Sequence, residues 1–306
     1  MIIIPPYLKK GNTLGLLCPA GYMPIKKATT CIQTLESWGF NVVIGKTLQG
    51  KQKNYFSGTD KERLDDFQTM LNDENIKAIL CARGGYGVSR IIDDINFSKF
   101  KKNPKWIIGF SDITVFHAHI NRQYKIATLH SSMAAAFNDE GFKNEYILSI
   151  KKALTGANNT YTCNAHQLNH LGTATGELIG GNLALIAHLI GSKSAYQTAN
   201  KILFIEDVGE YLYNIDRMFV QLKRAGMLNN LKGLIIGKFA ELKDTTSPFG
   251  ATVYNIIHHH VKDYHYPICY DFPVGHVTEN VALKVGVEHT LTVQKNKVTL
   301  KESTLR

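Results

Sequence analysis

The sequence predicts an α/β protein of two lobes, and three observations carry that prediction. Its 306 residues are twice the roughly 150 of an average domain. The first half alternates short apolar runs with amphipathic stretches of helical length, the pattern of βαβ units around a parallel sheet. Around 155–175 the composition turns to Thr, Asn, Gly and His, as in a connection between lobes. The expected architecture is a Rossmann-like N-terminal lobe with a parallel sheet over 1–160, a linker over 161–175, and a smaller mixed β/α C-terminal lobe over 176–306.

Each element has a local reason. Thr13–Leu17 is an apolar run ending in Pro19-Ala20-Gly21, a strand leading into a turn. Ile25, Ala28, Ile32 and Leu35 share one helical face, and Gly39 stops the helix. Asn41–Ile44 reads as a second strand. Thr59 with Glu62 three residues on is a capping-box signature, opening a helix that carries Leu64, Phe67 and Leu71. Lys77–Ala82 and Lys105–Phe110 are the third and fourth strands, each followed by glycine or serine and then a helix. In the second lobe, Ile202–Ile205, Gly233–Ile236 and Ile268–Asp271 read as short buried strands, with helices near 182–190, 214–226 and 251–261. Ala282–Val287, Thr290–Val293 and Lys297–Leu300 are expected to close the chain as a β-meander.

Composition narrows the class of function. With 44% hydrophobic and 20% charged residues, the chain has the make-up of a globular protein. Its 35 Lys and Arg exceed its 25 Asp and Glu, a formal charge of +10. The basic residues occur as scattered pairs such as Lys9-Lys10 and Lys151-Lys152, without the basic block or aromatic-basic stripe of a nucleic-acid surface. The excess therefore hints at an anionic small ligand. No apolar run reaches the roughly 18 residues of a membrane span, and the start lacks a signal-peptide pattern. Five dispersed cysteines without a C-x-x-C pair read as reduced thiols, so a cytoplasmic location is expected, with no membrane or nucleic-acid partner.

The strongest chemical signal is Gly109-Phe110-Ser111-Asp112, where an apolar strand runs directly into a serine and then a helical pattern. A serine at a sharp strand-to-helix turn has the setting of a nucleophile elbow, with the Asp112 N–H at a helix N-terminus facing a developing oxyanion. Ile113 stands where G-x-S-x-G would have its second glycine, and the same residues would equally serve as a helix cap. Arg83-Gly84-Gly85-Tyr86-Gly87 follows the third strand and fits either a flexible turn or an anion-binding loop. In a parallel sheet it would share the C-terminal edge with Ser111. Glu206-Asp207-Val208-Gly209-Glu210 sets three carboxylates after a buried strand, to cap a helix or orient a base. His276 ends another strand. Among twelve histidines, the sequential His258-His259-His260 point around a helix and make a poor ligand set, so no metal site is expected.

In these motifs, and in Gly180-Gly181-Asn182 and Ile215-Asp216-Arg217-Met218, the chain resembles the serine LD-carboxypeptidases of peptidoglycan recycling, whose relatives include microcin C immunity peptidases. The resemblance spans nearly the whole chain. It implies Ser111 as nucleophile, His276 as general base and Glu206 as the acid that orients it. It also implies an oxyanion hole from the backbone N–H groups of Asp112 and Gly85. The first lobe would carry the serine, the second the acid and base. The implied substrate is a muropeptide tetrapeptide that loses its terminal D-Ala, with Arg83, Gly84 and Asn182 as candidates to bind it. No cofactor is implied, and a homodimer is. Three rivals are a peptidase giving immunity to a peptide-nucleotide antibiotic, an amidotransferase-like enzyme with Cys81 as nucleophile, and a two-lobed binding protein for a small anionic peptide.

Overall fold

A computed structural model of the chain describes residues 2–52, 54–139 and 143–303. Its strands are β1 Thr13–Leu17, β2 Asn41–Ile44, β3 Ile76–Cys81, β4 Trp106–Gly109, β5 Thr128–His130, β6 Thr160–Asn164, β7 Gly172–Asn182, β8 Lys201–Val208, β9 Gly233–Ala240, β10 Ile268–Cys269, β11 Leu283–Val285, β12 Glu288–Val293 and β13 Lys297–Glu302. They fall into two compact units, one of Met1–Ala157 with Val281–Val285, the other of Asn158–Asn280 with Gly286–Arg306.

The first unit holds a six-stranded sheet in the order β11-β5-β4-β3-β1-β2, parallel except for β11. From β1 the chain steps outward to β2, then returns to the other side for β3, β4 and β5. The order therefore reverses between β1 and β3, the place where open α/β sheets bind ligands. β1, β3 and β4 are buried nearly throughout, with Leu14, Leu16, Ile79, Trp106, Ile107 and Ile108 at 1% exposure or less. Such unbroken apolar runs are what helices on both faces of a parallel sheet require.

One of those helices, Asp60–Asn72, begins in the expected capping box. Thr59 Oγ1 accepts from the Glu62 N–H at 3.2 Å, and Glu62 Oε2 accepts from the Thr59 N–H at 2.7 Å. Its inward face includes Phe67, which stacks on Phe116 of helix Thr114–Tyr124 with centroids 4.4 Å apart.

The second unit is a mixed seven-stranded sheet in the order β10-β9-β8-β7-β12-β13-β6. β7 to β10 run parallel, and β12, β13 and β6 complete it antiparallel. The antiparallel strands β12 and β13 bury alternate residues, so one face is packed and the other wet.

Two expectations change. Most of the segment read as a linker, 161–175, is strand: β6 and the start of β7 are polar because one face of each is exposed, and both pair within the second sheet. The closing meander is also divided. β11 pairs with β5 in the first unit, with Leu283 opposite His130, whereas β12 and β13 belong to the second. Gly286 has a φ of 92° and sits at the tight turn between them.

Thr59→Ala removes the capping hydroxyl from a helix that packs on the first sheet. It should lower the unfolding free energy by about 1 kcal/mol in urea titration, with Thr59→Ser restoring most of the loss.

Candidate functional site

In the first unit, three loops leave the C-terminal ends of β1, β3 and β4. At the end of β4, Ser111 has a φ of +62°, in the left-handed region that a residue with a Cβ rarely occupies. The serine is half-buried and opens a short 3₁₀ turn, Ser111–Ile113, into helix Thr114–Tyr124. The N-cap positions of that turn and of the helix are held by Phe110 and Ile113, so neither Ser111 nor Asp112 stands where a capping residue would. The missing second glycine also has an explanation. Gly109 has a φ of 150°, and a Cβ on it would lie 2.8 Å from Ile113 Cγ1, so the glycine before the serine makes the room that Ile113 occupies.

The glycine loop reaches this serine. A Cβ on Gly84 would stand 3.1 Å from Ser111 Cβ, 3.3 Å from its Oγ and 3.3 Å from the Asp112 nitrogen, so any side chain at 84 would crowd the hydroxyl. Gly21 N–H donates to the Gly84 carbonyl at 2.9 Å, tying the loop after β1 to the loop after β3. Gly85 is exposed, has a φ of 93°, and packs so closely on Tyr55 that a Cβ would lie 2.7 Å from its hydroxyl. Arg83 is exposed and donates from Nη1 to the Tyr22 carbonyl at 2.7 Å.

Asp112 is fully buried, and its Oδ2 accepts from the Val88 N–H at 2.8 Å. Burial raises its carboxyl to about 6, against the opposing pull of the Val88 and Gly87 amides and the Arg63 charge. His117 is also buried, with Nε2 on the Gly109 carbonyl at 2.8 Å. Burial pushes it down to about 4, so it is neutral and serves to hold the end of β4. Cys81 lies wholly buried with its thiol raised well above the ordinary value, which removes it as a nucleophile near neutral pH.

In the second unit, Glu206 and His276 meet. His276 Nδ1 is 2.7 Å from Glu206 Oε2, across 70 residues of sequence. Glu206 sits near the C-terminal end of β8 at a register shift against β9, with no exposure of its side chain. His276 follows β10 and retains 17% exposure. Gly275 makes the approach possible: with a φ of 144°, it lies where a Cβ would be 3.3 Å from Glu206 Cβ and 2.9 Å from the Lys238 carbonyl. Burial works against charge on His276. The Glu206 carboxylate and its hydrogen bond, helped by Asp207 and Glu241, outweigh that and raise its pKa. A carboxylate can only accept, so the bond places the ring proton on Nδ1 and the lone pair of the neutral imidazole on Nε2.

The neighbouring carboxylates have other duties. Asp207 accepts from Asn182 Nδ2 at 2.7 Å and from the N–H groups of Ala184 and Val208. Burial, then the charge of Glu206, lifts it to about 7. Glu210 accepts from Asn214 Nδ2 at 2.9 Å. Asn182, a candidate to face a substrate, is buried and spends its side chain internally, its Oδ1 capping helix Leu183–His188 at the Leu185 N–H. Among the described residues, no three His, Cys, Asp or Glu side chains gather as a metal-ligand set. His258 and His260 turn to different partners, Tyr270 and Asp216.

Known protein families match both units of the chain. The LD-carboxypeptidase N-terminal domain matches residues 14–131, and the LD-carboxypeptidase C-terminal domain matches 175–291. The probable murein peptide carboxypeptidase of Bacillus subtilis (strain 168) is 35% identical over 300 residues, 96% of this chain and 93% of that one. The chain belongs to the LD-carboxypeptidase family. As an LD-carboxypeptidase it is a serine-type carboxypeptidase. The crystal structure of muramoyltetrapeptide carboxypeptidase from Oxalobacter formigenes superposes with a TM-score of 0.86 at 26% identity, covering 96% of this chain and 99% of that one. The microcin C7 self-immunity protein, in complex with aspartyl sulfamoyl adenosine, shares the fold with a TM-score of 0.86 at 23% identity over the whole of both chains.

The LD-carboxypeptidase histidine gives a direct test. Followed by ring-proton NMR, His276 should titrate above its ordinary value of 6.5, and Glu206→Gln should move the midpoint down. The pair's contribution to stability is full below the unfolded pKa of the histidine and fades as pH rises through its raised folded pKa. A midpoint indifferent to Glu206→Gln would contradict the pairing.

Proposed function

We propose that this LD-carboxypeptidase removes the terminal D-Ala from muropeptide tetrapeptides (L-Ala-D-Glu-meso-diaminopimelate-D-Ala) in peptidoglycan recycling, through Ser–His–Glu acyl-enzyme chemistry. The observation that carries the reading is the 2.7 Å bond from His276 to the buried Glu206. A serine hydroxyl is too weak a nucleophile near neutral pH without a base, and a base needs its tautomer fixed. The Glu206 bond supplies that fixed tautomer.

Ser111 attacks the carbonyl of the diaminopimelate L-centre while His276 Nε2 takes the hydroxyl proton. The C–N bond to D-Ala breaks as His276 returns that proton to the leaving amine. A water, deprotonated by the same imidazole, then adds to the acyl-enzyme, and Ser111 leaves with the proton. Glu206 stabilises the imidazolium that forms in each half-reaction. The amides of Asp112 and Gly85 stabilise the tetrahedral oxyanions, which develop charge that the ground-state carbonyl lacks. A carboxypeptidase must also read the free C-terminal carboxylate, and Arg83 is the exposed cation on the glycine loop suited to it. The net charge of +10 favours an acidic peptide of this kind. The proposal includes a cytoplasmic homodimer, as the family pattern implies.

Purified protein incubated with disaccharide tetrapeptide should yield tripeptide and D-Ala by mass spectrometry, and release should survive a metal chelator. Ser111→Ala and His276→Ala should each lower kcat by about 10³-fold or more, and Glu206→Gln by about 10-fold to 10⁴-fold. Turnover unchanged in Ser111→Ala, or abolished by chelation, would overturn the serine mechanism. Faster cleavage of an aminoacyl sulfamoyl adenosine than of the tetrapeptide would move the substrate to the peptide-nucleotide class.

A further inference from the structure

Among the described residues, several buried charged side chains have no part in the proposed chemistry, and Arg63 is the one beside the glycine loop. Arg63, on helix Asp60–Asn72, has no solvent exposure, although a guanidinium is among the least favourable groups to bury. Its Nη1 donates to the Pro19 carbonyl at 2.7 Å and to the Gly87 carbonyl at 3.0 Å. Its Nη2 is paired with Asp60. Its guanidinium carbon lies 4.9 Å from the centre of the Phe56 ring. Pro19 lies in the loop after β1 and Gly87 in the loop after β3. Phe56 belongs to a segment that bridges to Gly21. One side chain thus joins three loops at the crevice where the strand order reverses.

The connection continues to the nucleophile turn. Gly87 has a φ of 153°, and a Cβ on it would lie 2.7 Å from Arg63 Nη1, so the glycine is what lets the arginine reach the backbone. The next amide, Val88 N–H, donates to the buried carboxylate of Asp112, the residue after Ser111. A path therefore runs from Arg63 through the Gly87 carbonyl and the Val88 amide to the turn that carries the serine. Lysine could not replace the arginine, because one ammonium cannot span two carbonyls along one edge and a carboxylate on the other. Asp60 in turn holds a second guanidinium, accepting from Arg90 Nε at 2.9 Å and Nη2 at 2.6 Å.

We propose that Arg63 is a positioning residue for the carboxypeptidase reaction, holding the Gly84–Gly87 turn against the Ser111 turn so that the Gly85 and Asp112 amides converge on the developing oxyanion. This rests on the reading of Ser111 given above. Because the oxyanion is present only in the transition state, a misplaced donor should cost turnover and spare ground-state binding.

The test compares wild type with Arg63→Lys, Arg63→Met and Asp60→Asn in steady-state hydrolysis of the tetrapeptide. Hydrogen exchange of the 82–88 peptide is followed in parallel by mass spectrometry. Both Arg63 variants should lose about 10- to 100-fold in kcat with KM held within about threefold. The 82–88 amides should exchange about tenfold faster or more, with β3 and β4 unchanged. Asp60→Asn keeps the buried guanidinium but weakens its anchor at a site 40% exposed. It should show the same pattern at about 3- to 10-fold, and carries the test alone if the Arg63 variants do not fold. Folded variants with wild-type kcat overturn the proposal, as do variants that lose only melting temperature. Ser111→Ala, run alongside, separates the two claims. An inactive Ser111→Ala beside fully active Arg63 variants removes the positioning role alone. An active Ser111→Ala removes the serine reading, and the proposal for Arg63 with it.

Discussion

A carboxylate with no access to water cannot stand alone, and the second unit is arranged around that constraint. An unpaired buried charge is strongly disfavoured, and removing one partner of a buried pair typically costs about 3–5 kcal/mol. Glu206 meets the constraint by facing His276. The register shift between β8 and β9, the glycine at 275 and the turn after β10 are the local conditions under which the two can touch. Asp207, one residue on, satisfies the same constraint differently, by accepting from Asn182 and two backbone amides. Adjacent residues on a strand point to opposite faces, so one carboxylate can serve the imidazole while its neighbour secures a helix.

The first unit solves a different problem, that of presenting backbone amides and a hydroxyl at one sheet edge. It does so with unusual φ values at Gly85, Gly87, Gly109 and Ser111. Glycine carries that conformation without strain at three of the positions, whereas Ser111 has a Cβ and does not. Strain on a single non-glycine residue, flanked by glycines that give way around it, is the mark of a turn whose side chain is wanted where it is. The buried groups beneath it, Asp112, His117 and Arg63, each hold a different backbone atom of the loops above.

Local signals were legible in the sequence. The capping box at Thr59 involves four consecutive residues and no tertiary partner, so the sequence contains all of it. The buried strands β1, β3, β4 and β8 were equally plain, because a parallel sheet leaves their residues no polar face to show. What failed depended on distant partners. β6 reads as a loop because Thr160–Asn164 is polar, and only pairing with β13 makes it a strand. β11 adjoins β12 in sequence yet belongs to another sheet, which no local pattern encodes. Within the candidate site, the strand-end placement of a serine, a carboxylate and a histidine could be read. The 2.7 Å contact between Glu206 and His276 could not, since 70 residues intervene. Arg63 was invisible for a related reason: an arginine on an amphipathic helix reads as a wet face until loop carbonyls converge on it.

The return of Val281–Val285 to the first unit has a consequence for how the chain comes to exist. During synthesis the parallel strands β1 to β5 are complete before any strand of the second sheet has emerged. The outer edge of β5 then waits, unpaired, while the whole second sheet except β12 and β13 is made. An unpaired strand edge is a template for foreign strands. The nascent protein therefore passes through a period in which its first sheet is built but unsealed. The residues that seal it follow β10 in the chain, so a ribosome that stalls before β11 leaves the first sheet open.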